Sequence, residues 1–118
     1  MGTFGHPITL ISPAGDRTET FSGLVDTGAT FSSAPATMLA SLGVAPQWSS
    51  RLRLADGRVV EHQMGEVMAQ LDGIRRTIIC IFGPPDAPAL IGAHNLEAFL
   101  LAVDSVEQRL VPVDALWL

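Results

Sequence analysis

Leu24-Val25-Asp26-Thr27-Gly28-Ala29-Thr30 is the stretch from which the rest of the chain is read. Two apolar residues lead into a carboxylate, and a hydroxyl residue and a glycine follow at once. That order describes a buried strand that ends by exposing an acid at a tight turn. Gly28 is expected to supply backbone angles that other residues resist, holding the Asp26 carboxylate against neighbouring main chain. An aspartate fixed in a partly apolar cleft is a candidate acid or base. A plainer reading makes Asp26 a cap for the turn and nothing more.

Working outward, residues 7–11 and 17–24 read as strands joined by the turn Pro13-Ala14-Gly15-Asp16. Residues 35–42 form the best helix candidate, with Ser32 or Ser33 as its cap and Pro35 in its first turn. Gly43 is its stop, and Met38, Leu39 and Leu42 share its buried face. Two hairpin signals follow: residues 52–55 and 59–64 flank Asp56-Gly57, and residues 67–71 and 77–82 flank Asp72-Gly73. Gly83-Pro84-Pro85-Asp86 reads as a loop, and a second short helix is expected at about residues 95–99. Residues 100–103 and 109–113 read as a last pair of strands.

The expected class is therefore all-β with one or two short helices, in one domain over residues 1–118. There is a faint internal echo. Leu24-Val25-Asp26-Thr27-Gly28 precedes the first helix, and Ala89-Leu90-Ile91-Gly92-Ala93 precedes the second without an acid. If the first copy needs an acidic partner, that partner must come from another chain.

Composition excludes several classes. Hydrophobic residues make up 47% and charged residues 16%, which is the balance of a folded globule. A chain of 118 residues can bury a core without disulfides. No apolar run approaches the ~20 residues of a membrane span. Met1-Gly2-Thr3-Phe4-Gly5-His6 lacks the basic-then-apolar order of a signal peptide, so a cytoplasmic location is expected and no membrane, with a periplasmic location or release from a longer precursor as the alternatives. The net charge is −5, and lysine and tyrosine are absent. Arg51, Arg53 and Arg58, and then Arg75 and Arg76, form groups too small to track phosphates, so nucleic acid is not an expected partner.

Cys80 stands alone in Ile78-Ile79-Cys80-Ile81-Phe82 and reads as a buried structural thiol. His6, His62 and His94 are scattered and give no zinc spacing, with or without Cys80, so neither a metal nor a cofactor is expected. No Gly-x-Ser-x-Gly elbow occurs, and no phosphate loop is possible without a lysine to complete it. Asp56 and Asp104 read as turn residues, and Trp48 as a core or packing residue with a place in the cleft wall as its other reading.

Taken in order, these motifs resemble the retropepsin-like aspartic proteases, in particular the small single-domain bacterial versions. Asp26, Thr27, Gly28, Ala29 and Thr30 look like the family's catalytic loop. The helix ending at Leu42-Gly43-Val44 follows at a familiar spacing, and Ala55-Asp56-Gly57-Arg58 stands where the family has its flap. Leu90-Ile91-Gly92, followed by Asn95-Leu96, looks like the family's apolar-apolar-glycine segment before its C-terminal helix. The likeness runs from about residue 7 to residue 113. The hairpin departs from viral members, since it lacks their glycine-rich tip.

The resemblance implies a closed β-barrel and an aspartic endopeptidase that activates water between two aspartates sharing one proton. Two carboxylates about 3 Å apart cannot both ionise easily. One chain holds half of such a site, so the resemblance implies a homodimer with Asp26 beside its mate on the two-fold axis. In it Thr27 would brace the two loops, Gly28 would bring N–H groups towards the carboxylates, and Ala29 and Thr30 would line the floor. Ala55, Asp56, Gly57 and Arg58 would fold over an extended peptide or protein substrate. Leu90, Ile91 and Gly92 would form the second glycine turn. The apolar residues 7–11 and 115–118, Trp117 among them, would carry the interface. The alternative on the same fold is a peptide-binding or dimerisation module with little or no hydrolytic activity.

Overall fold

The computed structural model describes residues 3–118, so Met1 and Gly2 of the expected domain and start segment lie outside the described residues. Strand β1 (Phe4–Ile11) and strand β2 (Thr18–Val25) form an antiparallel pair, and β3 (Ser32–Pro35) leads into helix α1 (Ala36–Ser41). Strands β4 (Trp48–Arg53), β5 (Val59–Leu71) and β6 (Ile74–Gly83) make an antiparallel meander. A two-residue strand β7 (Leu90–Ile91), helix α2 (Ala93–Ala98) and the separate ribbon β8 (Leu101–Asp104) and β9 (Arg109–Pro112) complete the chain.

The large sheet runs β1-β2-β7-β3-β6-β5-β4, and β1 also pairs with β5 through Thr9↔Gln70, Leu10↔Ala69 and Ile11↔Met68. Six strands thereby close on themselves, leaving β4 as an appended edge strand that, among the described residues, pairs only with residues 59–64 of β5. The chain is mainly β with two short helices, as the residue pattern predicts.

Side-chain alternation places the core inside that ring. Val67, Ala69 and Leu71 of β5 and Ile78, Cys80 and Phe82 of β6 are all buried. Leu10 and Ile91 join them from other strands, and Leu39 and Leu42 from α1 and its cap. Cys80 is 1% exposed, and burial pushes its thiol up to about 12, as befits a structural cysteine.

Local structure corrects several expectations. Ser32 and Ser33 do not cap α1. They lie in β3, Pro35 is the N-cap residue, and no side chain caps the helix. The helix stop is as expected: Gly43 has φ +77°, its N–H donates to Ala40 O at 2.9 Å, and the Val44 N–H donates to Leu39 O at 2.9 Å. That double bond closes a Schellman motif, with buried Val44 and Leu39 in its apolar contact. Residues 59–64 and 67–71 are one continuous strand. Gly65 lies within it, and a Cβ there would meet the Ala45 carbonyl at 3.1 Å and the Phe82 ring at 3.2 Å. Trp48 is no packing residue: it is 40% exposed and donates its indole N–H to Ser50 Oγ. Helix α2 starts earlier than expected, at Ala93.

The two hairpin signals resolve into different turns. Asp72 and Gly73 both have positive φ, 51° and 81°, between the paired residues Leu71 and Ile74, which is the two-residue primed turn that Asp-Gly favours. Asp56-Gly57 is not a two-residue turn. The Leu54 N–H donates to Arg58 O and the Gly57 N–H to Leu54 O, giving a three-residue loop with Gly57 left-handed at φ +89°.

Candidate functional site

Asp26 is the first residue after β2, and its position is fixed from both ends of the turn. Its own N–H donates to Ile91 O at 3.0 Å, and its carbonyl accepts the Ala29 N–H at 3.1 Å. Its carboxylate Oδ1 accepts the Gly28 N–H at 2.9 Å. An aspartate that accepts from the backbone two residues on is a standard turn-former, so the capping role and the presentation of a carboxylate are the same geometry. Gly28 is not among the residues with positive φ. The expectation of glycine-only angles is therefore wrong there, and what counts is size: a Cβ at Gly28 would stand 3.2 Å from Asp26 Oδ1.

The second glycine turn supports the first. Leu24↔Leu90 and Val25↔Ile91 pair in parallel, so the two echoed segments lie side by side. Just beyond that pairing the two segments continue into Asp26 and Gly92. The Ala93 N–H donates to Ala29 O at 2.8 Å and the His94 N–H to Thr30 O at 2.9 Å. Below them the buried Ser32 hydroxyl accepts from the Gly92 N–H at 3.1 Å and from Asn95 Nδ2 at 2.8 Å. Asn95 is 1% exposed, and its Oδ1 has no partner among the described residues.

Above the loop lies an open cleft of about 780 Å³. Asp26, Gly28, Ala29 and Thr30 line it from the acid loop, and Leu90 lines it from β7. Ala55 reaches it from the β4–β5 loop. Asp56, Gly57 and Arg58 do not line it, nor do Thr27, Ile91 and Gly92. Ile91 and Gly92 instead act from beneath the loop, whereas Thr27 is exposed on it. At the hairpin tip Asp56 accepts the Arg58 main-chain N–H at 3.0 Å and its Nε at 2.7 Å; these bonds hold the carboxyl below its ordinary value.

Residue pattern missed the other wall. Arg51, Leu52, Arg53 and Leu54 line the cleft in unbroken succession, together with Phe31 and Ile81. Consecutive residues point to opposite faces of a strand, so their common presence means that the cleft runs along the edge of β4, where backbone groups lack a strand partner among the described residues. A smaller apolar cavity of about 160 Å³ adjoins it, lined by Leu52, Leu54, Val60, His62 and Ile81 among others. The three histidines lie apart: His6 contacts Asp72 at 3.0 Å, His62 Nδ1 contacts Phe82 O at 3.3 Å, and the His94 ring lies 5.6 Å from Phe31.

Among solved structures, this chain is similar to the solution structure of the simian foamy virus (mac) protease. The TM-score is 0.57 at 13% identity, over 80% of this chain and 92% of that one. The fold is retropepsin-like. Neither a protein-family model nor a curated protein matches the chain. On the retropepsin-like fold the closed ring presents the acid loop at the base of the cleft, and the β4–β5 hairpin lies alongside it.

Proposed function

We propose that this chain is an aspartic endopeptidase that works as a symmetric homodimer, with the two Asp26 carboxylates activating water on an extended peptide. One observation carries this reading. Asp26 is a half-buried carboxylate held at the cleft floor by its own turn, and the echoed segment paired beside it, Leu90-Ile91-Gly92, carries no acid. A water flanked by two acids then requires a second copy of the loop, which a two-fold axis supplies. In that arrangement one carboxylate takes a proton from the water while the other donates to the peptide carbonyl. The free edge of β4 gives the substrate main chain a strand to pair with, fixing the cut bond over the acids. Thr27, exposed beside Asp26, is the residue available to brace the second loop.

The same edge supports a second reading, a peptide-binding module with little hydrolysis, because strand addition needs no acid. Cleavage of an unbiased peptide library from about pH 3.5 to 8 separates the two. Wild type should cut and Asp26→Asn, which preserves the bond from the Gly28 N–H, should not. Equal cleavage by both, or none by a dimeric wild type, refutes the endopeptidase.

A further inference from the structure

The strand that walls the cleft carries two arginines that form no ion pair among the described residues. Arg51 and Arg53 both line the cleft that holds Asp26 and, two apart on β4, they share one face of the strand. Neither makes an ion pair among the described residues. Glu61 stands opposite Arg51 in the β4–β5 register, yet the two form no ion pair. Arg53 Nη1 donates to the Gly57 carbonyl at 3.0 Å, a neutral acceptor that leaves its charge in place. Arg58, by contrast, is engaged by Asp56 at 2.7 Å. A chain of net charge −5 thus sets two unpaired cations beside a single cleft.

A peptide added to the free edge of β4 would present alternate side chains directly across from these arginines, with Cβ atoms about 5 Å apart. Opposite charges facing each other in this way attract, and like charges repel. We propose that the cleft selects peptides carrying acidic side chains at alternate positions along the segment paired with β4, with Arg51 and Arg53 as the specificity-determining residues. The inference rests on the reading of β4 as the docking strand for substrate, and it adds the substrate's chemistry. Each protomer of a symmetric pair supplies one arginine pair, so acids on both sides of the cut bond are accommodated.

Binding tests this without requiring turnover. The probes are a labelled decapeptide with an apolar centre and two alternate glutamates, and its twins with glutamine or lysine at those positions. Each is titrated against Asp26→Asn protein by fluorescence anisotropy. The glutamate peptide should bind about two- to fivefold more tightly per acid than the glutamine twin at low salt, and the gap should shrink as salt is raised. Arg51→Gln with Arg53→Gln should abolish the preference, and Arg51→Glu with Arg53→Glu should turn it towards the lysine twin. Equal affinity for the twins, or a preference that survives both double variants, overturns the inference, as does failure of every twin to bind. Library cleavage by wild type is scored alongside. Cutting without acid preference sinks the inference and leaves the peptidase standing, whereas acid-selective binding without cutting does the reverse.

Discussion

Gly92 is packed directly on the Phe31 peptide: a β-carbon at residue 92 would lie 2.5 Å from both the carbonyl carbon and the carbonyl oxygen of Phe31. The obstacle is backbone rather than a flexible side chain, so it cannot swing aside. Gly92→Ala should therefore destabilise the protein by about 1–3 kcal/mol, the usual range for overpacking. Because residues 93 and 94 hold Ala29 and Thr30, it should also disturb the acid loop. Urea unfolding measures the first effect and amide chemical shifts of residues 26–31 the second. An unchanged midpoint would contradict the packing described.

Ser32→Ala should cost more than its small volume suggests. The hydroxyl accepts from two buried donors, the Gly92 N–H and Asn95 Nδ2, in a place where Asn95 Oδ1 already lacks a partner. A buried donor left without a partner costs about 1–3 kcal/mol. Ser33→Ala, one residue along the same strand and less buried, should stay within about 0.5 kcal/mol and serves as the control.

Stability should respond to pH at both extremes. Bonds from the Glu107 and Val106 N–H groups, helped by Arg109, hold the Asp104 carboxyl below its ordinary 3.8, and Asp56 is held down by Arg58. A lowered folded value means that each turn's contribution is present above pH 3.8 and is lost as pH falls through the folded value. NMR titration of the two carboxyls should give midpoints below 3.8, moving back up for Asp56 in Arg58→Ala. Cys80 acts at the other end. Its thiol is raised from 9.0 to about 12, so its contribution is intact below pH 9 and declines between 9 and about 12. The native protein should resist a thiol reagent at pH 8 and react once unfolded.

Removing residues 114–118 should weaken self-association and leave the fold intact. Leu116 is 89% exposed and Trp117 98%, and neither belongs to a strand or helix. Apolar surface of that kind is costly in water and gains by burial against a partner. Sedimentation velocity on the truncated and full chains, with thermal unfolding as a check on folding, gives the answer. An undiminished dimer would place the interface elsewhere.

Residue pattern reached the all-β class and the acid loop because both are written locally, whereas closure of the ring was implied only by the family resemblance. Alternation marks the strands, Gly43 ends α1, and Asp26 to Gly28 is a turn that its own side chain closes. It failed where the deciding partner is remote. Ser32 looks like a helix cap until Gly92 and Asn95 arrive to take its hydroxyl. Residues 59–64 and 67–71 look like two strands until Gly65, with the Phe82 ring and the Ala45 carbonyl close above it, joins them into one. Arg51 and Arg53 look like a weak basic cluster, and only the topology makes β4 an edge and turns them towards a cleft.

The parallel pairing of β2 with β7 also fixes when the acid becomes an active-site candidate. Asp26 is made before the residues that hold it: the carbonyl that takes its N–H belongs to Ile91, and the loop it heads is pinned by the N–H groups of residues 93 and 94. Contacts between such distant parts of a chain form late, after the entropy of closing the intervening loop has been overcome. A growing chain that has emerged only as far as β6 therefore carries the carboxylate without its setting. The residues that complete the loop follow β6 in the chain, so assembly of the site is tied to completion of the ring.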